Sequence, residues 1–318
     1  MEIVCATDRC YVMQTCIMLT SLFENNPGER IRVHLLHNDI GSENLSKVEH
    51  AVSVYAQQVL FYSMDDALFH ELPIGREGQN SHVGTSYATY YRLFLTKILP
   101  SDISRVIYLD GDLIVMDSLK ELWNFDMHGK AIAAVPDSYT DTVTHYNRLH
   151  YPMYKGYFNA GVLLINLDYW REHNLLESFI EYGSANNGIL VCHDQDILNY
   201  LLQDNKIVLP LRYNMLNEYW FELRHSLVAW TYNEQMKFGQ QHPAIIHFTG
   251  IPKPWYSNCQ HPLKKEYERY RNLTVWHSCS ESRWMPLKYI LEQVAIKIIV
   301  AIGLRKSDYI IKNRFVKL

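Results

Sequence analysis

A chain of 318 residues that is 48% hydrophobic and 20% charged, with 14 Gly and 11 Pro, is too apolar for a disordered or collagen-like protein and can fill one large domain or two ordinary ones. Its formal charge of −4 comes from 30 Lys+Arg against 34 Asp+Glu, so the chain as a whole is not built to hold nucleic acid. Residues 286–318 carry seven Lys/Arg and two acids, net +5, which leaves −4 − 5 = −9 for the rest; the positive charge sits on a tail, not in a groove.

The first strand is expected at 3–6, an apolar run that stops at Thr7-Asp8-Arg9. It is shorter than the roughly 7–15 apolar residues of a secretory signal and lacks a basic start, so the expected location is cytoplasmic. The six cysteines (5, 10, 16, 192, 259 and 279) form no C-x-x-C pair and are expected as free thiols. Further strands are predicted at 31–36, 59–62, 106–109, 113–116, 131–135, 162–165, 207–209 and 244–248. Helical spacing marks 11–24, 42–55, 86–99, 168–182 and 194–203, as with Leu45, Val48, Val52 and Tyr55 along one face. Ser42 marks a helix start, and Ser118-x-x-Glu121 reads as a capping box for a turn after Met116. This alternation predicts an α/β fold with a mostly parallel sheet and helices on both faces. In such a sheet the ligand lies beyond the carboxyl ends of the strands, where the strand order reverses.

The segment Arg105-Val-Ile-Tyr-Leu-Asp110-Gly111-Asp112 puts two carboxylates after one apolar strand and before another. No helix starts there to explain them as caps, and hard oxygen ligands suit Mn²⁺ or Mg²⁺. Gly111 between them allows close approach of the backbone to a ligand. A second Asp-x-Asp, Asp194-Gln195-Asp196, also reads as a helix start with Asp194 as N-cap. His247 ends the apolar run at 244–248, and Gly250 and Lys253 follow in a loop bounded by Pro252 and Pro254. A lysine in a restrained loop is a point charge suited to phosphate. Two Asp and one His make a chemically sensible manganese site.

The motifs Ala6-Thr7-Asp8, Thr89-Tyr90-Tyr91-Arg92-Leu93, Tyr108-Leu109-Asp110-Gly111-Asp112, Phe158-Asn159-Ala160-Gly161-Val162, Asp194-Gln195-Asp196-Ile197-Leu198-Asn199 and His247-x-x-Gly250-x-x-Lys253-Pro254-Trp255 occur in this order. Together they resemble the retaining glycosyltransferases of family 8, which include lipopolysaccharide hexosyltransferases and glycogenin. The resemblance implies a GT-A catalytic domain over 1–258, followed by an aromatic and basic tail over 259–318. It implies that Ala6, Thr7 and Asp8 hold uracil and ribose; that Asp110, Asp112 and His247 ligate Mn²⁺, with Mg²⁺ as the alternative; and that Gly111 lines the nucleotide. Gly250 and Lys253 would close on the diphosphate, Arg92, Asn159 and Asp194 would grip the donor sugar, and Gln195 would lie beneath its anomeric carbon. Cys10 stands where the family commonly has Asn or Asp.

The implied reaction moves glucose or galactose from a UDP-hexose to a saccharide of a surface glycolipid or polysaccharide. Because Gln195 is a poor nucleophile, front-face transfer is expected, with a covalent intermediate on Asp194 or Asp196 as the rival. Glycogenin-like self-glucosylation and a non-catalytic nucleotide-sugar-binding protein are the alternative functions. In the tail, Leu287, Ile290, Leu291, Val294, Ile298 and Ala301 follow helical spacing among basic residues. That predicts a helix lying on an anionic membrane surface or packed on protein, since the apolar stretch is short of a span.

Overall fold

The strands β1 (Glu2–Thr7), β2 (Arg32–His37) and β3 (Gln58–Ser63) pair in parallel, with α1 (Val12–Glu24) and α2 (Ser42–Ser53) as their crossovers. This is a computed structural model, and it describes residues 1–70, 72, 86–138, 143–220, 227–250 and 253–278. The predicted tail helix after residue 286 lies outside the described residues. α1 is apolar nearly all round, so 12 of its 13 residues are buried between the sheet and later elements. α2 has a one-sided pattern and buries only Val48 and Val52.

The chain then returns to the other side of β1. A 3₁₀ segment (Tyr87–Phe94) runs into α3 (Leu95–Ile98), and β4 (Arg105–Leu109) pairs in parallel with β1, Ile3 opposite Ile107. After β5 (Leu113–Val115), α4 (Lys120–Trp123), β6 (Ile132–Pro136) and α5 (Val143–Arg148) comes β7 (Phe158–Asn166). α6 (Leu167–Glu172), α7 (Leu175–Ala185), α8 (His193–Leu201) and β8 (Lys206–Val208) follow. The seven-stranded sheet has the order β3-β2-β1-β4-β7-β6-β8. β7 is antiparallel to both β4 and β6, and the other pairings are parallel. The order reverses between β1 and β4, which is where a ligand crevice opens in folds of this kind.

A second sheet covers one side of α1. β9 (Met215–Leu216) and β10 (Ile245–His247) are parallel to each other, and β10 is antiparallel to β5. Between β9 and β10 lie α9 (Leu227–Thr231) and α10 (Asn233–Gln241). α11 (Lys264–Arg271) packs Tyr267 and Tyr270 into a cluster with Met13, Ile17, Ile114, Ile246, Phe248 and Trp255. Among the described residues, no helix is long and apolar enough to cross a membrane.

Several local expectations differ from what forms. The helix expected over 86–99 is mostly 3₁₀, because its Tyr and Thr run has low α-helix propensity. The tighter winding buries Tyr90, Tyr91, Leu93 and Phe94. The helix expected over 168–182 is broken in two at Asn174, which adopts left-handed backbone at φ 48° as Asn tolerates. Asp194 is not an N-cap; Cys192 holds that position. The capping box at 118–121 does not form: Ser118 Oγ accepts from Lys120 N at 3.2 Å, and Glu121 accepts from the Tyr213 hydroxyl. At the start of α2 the cap is Gly41 at φ 82°, with Ser42 as the first helical residue. The described cysteines, 5, 10, 16, 192 and 259, are free.

Two buried histidines set a pH limit. Burial, aided by Arg148 and opposed by Asp196, pushes His145 down to about 4, and burial alone does the same to His261. Both stay neutral in the native chain while the unfolded chain protonates below about 6.5, so unfolded protein binds more protons in that window. Stability should therefore fall as pH drops from about 6.5 to about 4, by on the order of 3 kcal/mol per histidine. Urea midpoints measured across this range should show the loss, and His261→Phe should flatten the slope.

Candidate active site

The crevice predicted by strand order is a cleft of about 290 Å³ lined by Ala6, Thr7, Asp8, Tyr11, Ser86, Ala88, Thr89, Arg92, Tyr108, Asp110, Gly111 and Asp112. β1 ends at Thr7 and β4 at Leu109, so adjacent parallel strands deliver Asp8 and Asp110 to one rim. Asp8 Oδ1 accepts from the backbone of Cys10 and Tyr11 at 2.9 and 3.1 Å, which turns the chain into α1. Tyr11 thereby presents its ring to the cleft, edge-on to Trp255.

β10 brings in the histidine. Its antiparallel pairing sets His247 opposite Leu113, immediately after Asp112. His247 Nε2 lies 3.1 Å from Asp112 Oδ1 and 3.9 Å from Asp110 Oδ2. One ligand atom from each of these three side chains falls within 4.8 Å of the others. Lys253 Nζ donates to Asp112 Oδ2 at 2.5 Å and to the Phe248 carbonyl at 2.6 Å. Burial works to raise the Asp112 pKa, but Lys253 and His247 outweigh it and hold the carboxyl well below the usual range. Asp112 is therefore a carboxylate at any working pH. Two hard oxygen donors and one imidazole fit a divalent cation of the Mn²⁺ or Mg²⁺ kind.

Arg92 ties this cluster to α8. Its Nη2 reaches Asp110 Oδ1 at 2.9 Å, its Nε reaches Asp194 Oδ2 at 3.0 Å, and its guanidinium lies over the Tyr108 ring at 4.2 Å. Its Nη1 also donates to the Ala160 carbonyl. Burial would lower the Arg92 pKa, but Asp110 and Asp194 more than restore the charge. Asp194 also accepts from the Thr89 hydroxyl; burial raises its pKa against Arg92 and Thr89. Gln195 is held at both ends of its amide, Oε1 accepting from Ala160 N at 2.8 Å and Nε2 donating to Asp137 at 3.0 Å.

Sequence reasoning put Asp110, Asp112 and His247 together, and they are together. Ala6, Thr7, Asp8, Arg92 and Gly111 line the same cleft, and Asp194 and Lys253 attach to it through Arg92 and Asp112; Gln195 is outside the lining, bonded to Ala160 N and Asp137. Asn159 lies one layer deeper, bonded to Asp137. Gly250 is outside the cleft lining, in a turn at φ 62° that favours glycine. The close approach that Gly111 permits is to α1: a Cβ there would sit 2.9 Å from Thr15 Oγ1. Four contributors were not singled out from sequence: Tyr11, Asp137, Gly161 and Asn214. Gly161 carried a signal, since it belongs to a quoted motif; Asp137 and Asn214 are polar residues whose role depends on partners far along the chain.

Gly161 is required by packing. A Cβ on it would come 2.2 Å from His247 Cε1 and 2.7 Å from Asp110 Oδ2. Gly161→Ala should push both side chains off their positions and destabilise the protein by about 1–3 kcal/mol. Urea unfolding checks this, and an unchanged midpoint would contradict the packing.

Comparison with known proteins points one way. The sequence profile described as Glycosyl transferase family 8 matches residues 2–259. General stress protein A of Bacillus subtilis (strain 168) is 29% identical over 285 residues, 87% of this chain and 95% of that protein. Lipopolysaccharide 1,3-galactosyltransferase of Salmonella typhimurium (strain LT2) is 26% identical over 278 residues, 86% of this chain and 78% of that one. The crystal structure of the galactosyltransferase LgtC with donor and acceptor sugar analogues superposes with a TM-score of 0.73 at 25% identity, covering 86% of this chain and 96% of LgtC.

Proposed function

Because this chain belongs to glycosyl transferase family 8 and has the GT-A fold, we propose that it transfers glucose or galactose from a UDP-hexose to a saccharide acceptor, with retention and with Mn²⁺ (or Mg²⁺) in the site. The observation that carries this reading is the meeting of Asp110, Asp112 and His247 at the rim of the β1–β4 cleft, with Lys253 beside them.

When bound to those three side chains, a divalent cation supplies Lewis-acid neutralisation of the departing diphosphate, a contribution of several kcal/mol. The chain's own groups do the rest. Ala6, Thr7 and Asp8 line the nucleoside end of the cleft, and the Tyr11 ring offers a face to the base. Lys253 turns its ammonium from Asp112 toward the diphosphate as the Gly250 loop closes, which adds charge and excludes water. Asp194, fixed by Arg92 and Thr89, accepts from hydroxyls of the donor sugar, and Asn159 supports the same wall. Gln195, its Oε1 already accepting from the Ala160 N–H, would stabilise positive charge at the anomeric carbon through the second lone pair of that carbonyl.

Two features favour front-face attack over a covalent intermediate. Gln195 is an amide and a poor nucleophile. Asp196 is fully buried and its oxygens already accept from both Arg148 Nη groups, the Tyr157 hydroxyl and the backbone of Val191 and Cys192. In the front-face route the acceptor hydroxyl attacks on the side UDP leaves, and a phosphate oxygen takes its proton.

The similarity to a lipopolysaccharide galactosyltransferase supports an acceptor on a surface glycolipid or polysaccharide. The basic sequence after residue 286 suits a cytoplasmic enzyme held at an anionic membrane face. A chain truncated at residue 285 should lose binding to anionic vesicles; undiminished binding would remove the membrane part of the reading.

The decisive assay is UDP release from UDP-glucose and UDP-galactose with and without Mn²⁺. One donor should turn over only with the ion, and Asp112→Asn should slow it by about 10²–10³ or more, the kinetic equivalent of several kcal/mol. No UDP release from either donor would sink the proposal.

A further inference from the structure

The geometry points to a buried string of amides, anchored at Asp137 and completed by Asn214, that fixes which nitrogen of His247 carries its proton and so makes Nε2 a cation ligand; Asp137 and Asn214 are positioning residues. This rests on reading Asp110, Asp112 and His247 as the metal centre.

Hydrogen-bond polarity sets the orientation of each group in the string. A side-chain amide has a donor end and an acceptor end, and its orientation is settled only by neighbours that cannot switch roles. Asn159 lies between two such neighbours. The Gly161 backbone N–H, which can only donate, points to Asn159 Oδ1 at 2.9 Å. The Asp137 carboxylate, which can only accept, faces Asn159 Nδ2 at 3.1 Å. Asn159 therefore has one orientation.

Its Oδ1 also accepts from Asn214 Nδ2 at 2.9 Å. With its donor end committed, Asn214 turns Oδ1 to His247 Nδ1 at 3.0 Å. A carbonyl can only accept, so Nδ1 carries the proton. Nε2 is then the ring nitrogen turned to Asp112 and Asp110, and its lone pair is what His247 offers a cation that replaces the Nε2–Asp112 contact. Reversing either amide would set two donors or two acceptors against each other in a dry interior. Asn214 and His247 are 0% and 3% exposed, and Asp137 and Asn159 4% and 8%; each unsatisfied group there costs about 1–3 kcal/mol.

The same anchor serves the other end of the reaction. Asp137 Oδ2 also accepts from Gln195 Nε2, and the Ala160 N–H fixes Gln195 Oε1. One buried carboxylate thus orients the imidazole at the diphosphate end and the amide at the sugar end. Outer partners of this kind typically account for 10–100-fold in metal affinity.

The test uses the full chain with UDP present and reads Mn²⁺ affinity from the EPR signal of the free ion. Asn214→Leu, which removes the acceptor, should weaken Mn²⁺ binding about 10–100-fold. Asn214→Asp keeps an acceptor toward Nδ1 and should bind Mn²⁺ near the wild-type value. It should nevertheless melt lower, because a carboxylate oxygen then meets Asn159 Oδ1. A role in packing alone would make affinity follow melting temperature and not the acceptor. A second measurement needs no variant: in ¹⁵N-histidine-labelled wild type with Mg²⁺ and UDP, His247 should carry its ring proton on Nδ1. A proton on Nε2, wild-type affinity in Asn214→Leu, or equal losses in both variants would overturn the proposal. If wild type itself takes up no ion with UDP, the metal-centre reading fails first and this one with it.

Discussion

The site depends on pairing three carboxylates with basic side chains in a cleft that water only partly reaches. Asp110, Asp112 and Asp194 come from a strand end, a turn and a helix, and their mutual repulsion grows as the surroundings dry. Arg92 answers two of them at once, and Lys253 and His247 answer the third. Removing one member of such a buried set leaves an uncompensated charge, which costs more than the intact pairing contributes. Arg92 is thus as much a condition for folding the crevice as a candidate sugar contact. Its rigidity follows from the Tyr108 face beneath it and the Ala160 carbonyl beyond it.

Two clusters among the described residues have donors spaced for a metal: Asp110/Asp112/His247 and His145/Cys192/Asp196. They are not equivalent. The Asp196 oxygens are committed to Arg148, Tyr157 and two backbone N–H groups. Those bonds tie α5, Tyr157 just before β7 and the loop before α8 together, and so hold the helix that presents Asp194 and Gln195. In the first cluster, the partners of Asp112 are a flexible lysine, which can turn away, and an imidazole that is itself a candidate ligand. The difference lies in what already satisfies the carboxylate, a property invisible in a count of ligands.

Glycine shows the same division between pattern and cause. In the sequence, Gly111 of Asp110-Gly111-Asp112 looks like a place where backbone approaches a ligand, and Gly161 stands out only as part of the Phe158–Val162 motif. In the fold, Gly111 makes room for Thr15 of α1, and Gly161 makes room for the His247 ring and the Asp110 carboxylate. Both are needed because protein packs on protein there.

The sequence alone determined the alternation of strands and helices, the mostly parallel sheet, and the positions of Asp8, Asp110 and His247 at strand ends. Those properties are local: apolar runs of strand length, helical spacing, and charged residues where a run stops. The six ordered motifs added the family. Tertiary structure decided the second sheet that carries His247 to the aspartates and the string from Asp137 to His247. Both are set by partners tens to over a hundred residues away. A side chain's hydrogen-bond direction has no periodicity to read; it exists only once its neighbours are in place.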